Sequence, residues 1–122
     1  VNTLEKFFSV TKENSAQIIG SGDLPVLATP ALVAMAEQTS KELCESFLEA
    51  GETTVGSAIA IEHMRPTGIG KSIKVKVTLE SQEQQRLHFS YQAFEDDRLI
   101  AKGEHDRVVV DIKRFLERVY PE

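Results

Sequence analysis

Between residues 29 and 49 apolar side chains recur at helical spacing, and beyond Gly51 the period falls to two for most of the remaining chain. This change of period constrains the fold more than any other feature. A 3.6-residue pattern buries a stripe and a two-residue pattern buries a face, and neither substitutes for the other. Leu32, Val33, Ala36, Leu43, Cys44 and Phe47 form the stripe. Thr29 followed by Pro30 marks the helix start, since a threonine oxygen can cap free N–H groups and a first-turn proline forfeits no hydrogen bond. Gly51 marks the stop, so a Thr29-capped helix is predicted over about 30–49.

Four strands are predicted after it. Val55, Ser57, Ile59 and Ile61 alternate with Gly56, Ala58 and Ala60, as in a strand closely covered on its second face. Ile73, Val75, Val77 and Leu79 alternate with Lys74, Lys76, Thr78 and Glu80, a half-buried pattern. Leu87, Phe89 and Tyr91 mark a third strand, and the run from Leu99 to Val110 a fourth. The connections SQEQQ and EDDR are short and polar and read as hairpins, as does TGIGK. DIKRFLERVY reads as a short closing helix. Ahead of the long helix, a short strand is expected over 5–10 with Phe7 or Phe8 inward, then a turn of helix within 11–19 and a loop at GSGDLP.

One strand, one long helix and four further strands make an α+β layout rather than a doubly wound sheet. A long central helix wrapped by one curved, mainly antiparallel sheet is the hotdog arrangement. At 122 residues the chain is read as one domain, 1–122. Its net charge of −5 argues against general binding of nucleic acid or anionic membrane, both of which need a basic face. No 18-residue apolar run provides a membrane span. The chain begins at Val1 with no basic stretch leading into an apolar one, so no signal peptide is visible. Cys44, the single cysteine, has no partner for an internal disulfide, which makes the reducing cytoplasm the expected location.

Three residues could carry chemistry. At about 100° per residue Glu37 lies roughly 20° from Cys44, at the margin of the buried stripe. It is either a boundary residue exposing its carboxylate or a desolvated acid in a pocket, suited to act as a base. His63 ends a strand on the side of Ile59 and Ile61, where a histidine can be structural or catalytic. Thr29 needs no function beyond capping. TGIGK lacks the spacing of a phosphate-binding loop, and there is no G-x-S-x-G nucleophile motif. His88 and His105 have no partner at metal-ligand spacing, and Cys44 on the stripe reads as a small core residue.

Three long segments carry a resemblance: GSGDLPVLATPALVAMAEQTS, TTVGSAIAIEHMRPTGIGKSIKV and RLHFSYQAFEDDRLIAKGEHDRVVVD. In this order, and over residues 7–116, they resemble the fluoroacetyl-CoA thioesterase-like branch of the hotdog thioesterases. The resemblance implies a catalytic set of Thr29, Glu37 and His63, with Gly56 in the substrate site. It also implies an acyl-CoA substrate, a site between two subunits of a homodimer or higher homo-oligomer, and no metal or cofactor, coenzyme A being part of the substrate. The fluoroacetyl-specific member has an aromatic-rich lid ahead of its threonine, whereas GSGDLPVLAT has no aromatic residue, so a short or medium acyl-CoA is the expected substrate. Two other classes stay open: a non-catalytic acyl-CoA or small-ligand binding protein, and another hotdog enzyme such as a hydratase.

Overall fold

The computed structural model describes residues 2–121. The elements run β1 (Thr3–Ser9), a short 3-10 turn (Lys12–Asn14), α1 (Ala16–Ile19), α2 (Thr29–Cys44), β2 (Glu52–His63), β3 (Ser72–Glu83), β4 (Arg86–Glu95), β5 (Arg98–Asp111) and α3 (Ile112–Val119). The five strands form one antiparallel sheet in the order β1-β3-β4-β5-β2, and α2 packs against one face of it. The helix-and-sheet layout, the loop at GSGDLP and the hairpins at SQEQQ and EDDR agree with the sequence pattern.

Four local expectations are corrected. The first helical residue of α2 is Thr29, not Pro30, and Ala28 occupies the cap position without a side-chain cap. Thr29 is inside the helix because Ala28, still extended, already accepts the Leu32 N–H at 3.1 Å; the Thr29 hydroxyl is engaged elsewhere, as described below. The helix ends at Cys44 instead of near residue 49, and Phe47 falls in the turn beyond it, 38% exposed. Ser57 does not alternate inward with Ile59 and Ile61, because β2 is irregular there. TGIGK is not a hairpin: β2 lies at one edge of the sheet and β3 next to the other, so the connection must cross over. Leu27 N–H donates to the Thr67 carbonyl at 2.8 Å and Gly70 N–H to the Val10 carbonyl at 2.8 Å, tying that crossover to the segment before α2.

The core lies between α2 and the sheet. Leu32, Met35, Ala36 and Leu43 of the helix meet Ile73, Val75, Val77, Phe89 and Ile100. Cys44 is fully buried, as a small core residue should be. Thr39 and Ser40 are buried too, and each donates its hydroxyl to the carbonyl four residues back, Met35 and Ala36 respectively, at 2.8 Å. That satisfies a buried polar group without a partner from the sheet. On β1 it is Phe8 that turns inward, while Phe7 is 70% exposed.

Tyr91 reaches from β4 across β5, and its hydroxyl donates to the Ala60 carbonyl of β2 at 2.6 Å. The ring passes over Gly103, where a side chain would collide with the Ala60 carbonyl and stand 2.6 Å from the Tyr91 hydroxyl. Burial, with a smaller contribution from the Glu37 charge, pushes the Tyr91 phenol up to about 12. Gly103→Ala is therefore expected to destabilise the fold by about 3 kcal/mol, because backbone rather than a flexible side-chain end must yield. Urea unfolding of the variant checks this.

On the opposite face, His88 stands directly across from Asp106. Its Nδ1 lies 2.5 Å from Asp106 Oδ1 and its Nε2 lies 2.8 Å from Glu104 Oε1. Both ring nitrogens face acceptors, and only the imidazolium can donate to both. The hydrogen bond to Asp106 is the main cause that raises the His88 pKa above its ordinary value. A group whose folded pKa is raised stabilises the fold fully below the unfolded value of 6.5, and that contribution is lost as pH rises through the folded pKa. His88→Gln is expected to lower stability at pH 6 and to change it much less at pH 9, as measured by urea unfolding at the two pH values.

Candidate active site

The start of α2 and the end of β2 meet through one hydrogen bond: Thr29 Oγ1 lies 2.8 Å from His63 Nδ1. This contact occupies the hydroxyl that would otherwise cap the helix. His63 Nε2 is buried and has no hydrogen-bond partner among the described residues. Burial holds the His63 pKa below its ordinary value, partly offset by the nearby Arg65 backbone, so the ring is neutral at neutral pH. A cleft of about 320 Å³ opens beside the pair, lined by Ala16, Ser21, Val26, Leu27, Met64 and Arg65 among others.

A second grouping lies further along the same helix. A Cβ placed on Gly56 would stand 3.0 Å from Glu37 Oε2, 3.3 Å from His105 Cε1 and 3.6 Å from Arg107 Nη1. Glu37 is half-buried, whereas His105 and Arg107 are buried. Arg107 Nε donates to Thr54 Oγ1 at 2.8 Å, Nη2 to the Thr54 carbonyl at 3.0 Å, and Nη1 to His105 Nε2 at 3.1 Å. That last bond requires His105 Nε2 to be an acceptor, so Nδ1 carries the proton and donates to the Ala58 carbonyl at 2.8 Å. Burial pushes the His105 pKa down, and the Arg107 charge adds to this. Burial lowers the Arg107 pKa as well, while the Glu37 carboxylate acts to raise it.

Gly56 and His63 are seven residues apart, and on a regular strand an odd separation places two residues on opposite faces. The pairing of β2 with β5 shows why they share one. Gly56 pairs with Arg107 and Ala58 with Asp106, leaving Ser57 as an extra residue. This bulge reverses the parity of β2. Thr54 and Gly56 face the helix before it, and Ile59, Ile61 and His63 face the helix after it.

The structure thus joins Thr29 to His63 and Glu37 to Gly56. It does not join the two pairs within one chain: eight residues of helix separate Thr29 from Glu37, about 12 Å of rise. His105 and Arg107 were not among the residues singled out from sequence for the site. Their signal is present: with Ala101 and Val109 they occupy the alternating inward positions of β5, where apolar residues are the rule.

The family of fluoroacetyl-CoA-specific thioesterases matches residues 10–113. The chain belongs to that family. Over 94 residues it is 31% identical to a fluoroacetyl-CoA thioesterase from Streptantibioticus cattleyicolor, an alignment covering 77% of this chain and 68% of that protein. A solved structure of fluoroacetyl-CoA thioesterase superposes with a TM-score of 0.92 at 26% identity, covering 100% of this chain and 96% of the other. A hot-dog-like protein from Thermanaerovibrio acidaminovorans superposes at 0.90 with 21% identity, covering 98% and 88%, which bears on the fold alone. The fold is a hotdog, α+β, with the sheet open rather than closed into a barrel.

Gly56→Ala tests how tightly the second grouping is built. The added methyl meets the free end of the Glu37 side chain and the edge of the His105 ring, both of which can shift, so stability should fall by no more than about 1 kcal/mol. The carboxylate must move, and a drop in thiol release from an acyl-CoA of about 100-fold would mark it as a reacting group, that being the size of effect that misplacing one by about 1 Å can have. Urea unfolding and a thiol assay on the same preparation measure the two together.

Proposed function

We propose that this family member is an acyl-CoA thioesterase that hydrolyses a short or medium acyl-CoA to the free acid and coenzyme A. In this reading Thr29, Glu37 and His63 form the catalytic set and Gly56 contacts the substrate. The observation that carries it is the Thr29–His63 hydrogen bond at the mouth of a cleft, which leaves His63 Nε2 buried and without a partner among the described residues. A neutral histidine so placed can take a proton and return it to a leaving group.

The thioester carbonyl lies at the start of α2, where the Thr29 and Ala31 N–H groups and the positive end of the helix dipole stabilise the oxygen as it gains charge. Pro30 supplies no N–H there. Two routes share this placement, and both need the Glu37 carboxylate of a second copy of the chain, since one chain holds its own about 12 Å of helix rise from Thr29. Glu37 removes a proton from water, which adds to the carbonyl carbon, or Glu37 attacks that carbon itself and water then cleaves the resulting anhydride. In both, the carbon–sulfur bond breaks and the departing thiolate receives a proton, which His63 is placed to deliver. The chemistry is assigned to these side chains without a metal or a resident cofactor.

The same reading includes a homodimer, or a higher homo-oligomer built from it. β2 is an edge strand of twelve residues whose exposed positions include Gly56, Ser57, Ala58 and Ala60, small side chains that let another backbone approach. An unpaired edge of that length invites a second strand. A second copy there walls the site on the side where one chain leaves Glu37 and the Thr29–His63 pair apart. A stable monomer at micromolar concentration in sedimentation would count against the shared site. The cytoplasm is the proposed compartment, where the buried, unpaired Cys44 stays reduced.

Glu37→Gln decides the mechanism, because it keeps the shape and removes the charge. Thiol release across a panel of acyl-CoAs is expected to fall by about two orders of magnitude or more. Melting temperature should hold level or rise, since a half-buried carboxylate carries a desolvation cost that an amide avoids in part. An active Glu37→Gln enzyme would sink the assignment. Tight binding of acyl-CoA by the wild type without thiol release would make the protein a binding module instead. His63→Ala should likewise remove most turnover. In the wild type the His63-dependent acid limb of kcat/KM should fall below pH 6.5, because burial lowers the His63 pKa.

A further inference from the structure

The chain is acidic overall, with 14 Lys and Arg against 19 Asp and Glu, yet two arginines flank the candidate site. Arg65 follows His63 by two residues, and Arg98 precedes Ala101, the residue paired with His63, by three. The two arginines line one cleft of about 410 Å³ together with Met64 and Leu99. Met64 and Arg65 also line the cleft that holds Thr29 and His63, so the two clefts share a wall.

Both arginines are exposed, and neither takes part in an ion pair among the described residues. Lysines elsewhere on the surface do pair: Lys6 with Glu42, Lys74 with Glu5 and Lys102 with Glu62. Asp96 and Asp97 form the hairpin tip beside Arg98 without binding its guanidinium. The backbone under Arg65 is fixed, because the Met64 and Arg65 N–H groups both donate to the Ile100 carbonyl, at 2.8 and 3.2 Å. Two unpaired guanidinium groups on an anchored base suit a phosphorylated ligand, since each fork can bind a phosphate in a bidentate manner.

We propose that Arg65 and Arg98 bind the phosphate groups of the coenzyme carrier, while the pantetheine arm runs past Met64 toward Thr29 and His63. The proposal rests on the acyl-CoA reading above and deepens it by assigning the far end of the substrate. Three residues of β5 separate Arg98 from the level of His63, about 10 Å at strand rise, and the two long side chains extend the reach outward. Met64 is 44% exposed at the junction and offers an apolar thioether to the arm.

The test places one acyl chain on three carriers: coenzyme A, 3′-dephospho-coenzyme A and pantetheine. Thiol release is measured at low ionic strength for wild type, Arg65→Ala, Arg98→Ala and the double variant. Wild type should prefer the coenzyme A carrier over pantetheine, and that preference should fall about tenfold for each arginine removed, through KM rather than kcat. Added salt should shrink the preference in the same direction. An undiminished preference in the double variant, or no preference in the wild type, overturns the proposal. If the wild type releases thiol from none of the carriers, the thioesterase reading fails, and calorimetric titration with free coenzyme A and with pantetheine then decides the arginine assignment. Tighter binding of coenzyme A, lost in the double variant, upholds it; equal or absent binding overturns it.

Discussion

The extra residue at Ser57 is the constraint on which the candidate site depends. Without it β2 would keep one parity from Glu52 to His63, and either Gly56 or His63 would point away from α2. With it, the first half of β2 meets Glu37 through Gly56, and the second half delivers His63 to Thr29. A bulge interrupts the local ladder and bends the strand, and such features recur where a side chain must be re-aimed. Over Ala101 to Asp111, the residues that pair with β2, the neighbouring β5 has no extra residue of its own; its irregularity, at Ile100 against β4, lies beyond them.

Beneath the bulge the protein buries a charge without a carboxylate in direct contact. Arg107 spends its donors on Thr54 and on His105, and His105 can accept only because its other nitrogen donates to Ala58. A buried guanidinium is tolerated when its donors are satisfied and an opposite charge lies near. The Arg107 donors are satisfied in this way, and the Glu37 charge is a smaller influence than burial at Arg107, His105 and Tyr91 alike. The opposite sheet face has its own charge cluster, His88 between Glu104 and Asp106, so β5 sends alternate side chains into two separate electrostatic environments.

Much of the fold was legible in the residues. The change of period after Gly51 separates one helix from four strands, and Lys74 and Lys76 alternating with Ile73, Val75 and Val77 define which face of β3 is buried. Cys44 was readable as core from its place on the stripe. The boundaries were less legible. Thr29 carries every mark of a cap, yet Ala28 takes that place and the Thr29 hydroxyl bonds to a histidine 34 residues away. TGIGK has the composition of a tight turn, and composition does not say which strands a turn connects.

The sequence by itself determined what is local and periodic: the helix, the strands and their buried faces; through family resemblance it nominated the set Thr29, Glu37, His63 and Gly56. Those signals are written in neighbouring residues, because helix and strand periods act over a few positions along the chain. Only the tertiary structure decided which of the four stand together, that Ser57 is the residue that reverses β2, and that His105 and Arg107 surround Gly56. Each of these is set by pairing between strands some fifty residues apart, where one unmatched residue changes the face of every residue after it, and no local pattern records which residue is left unmatched.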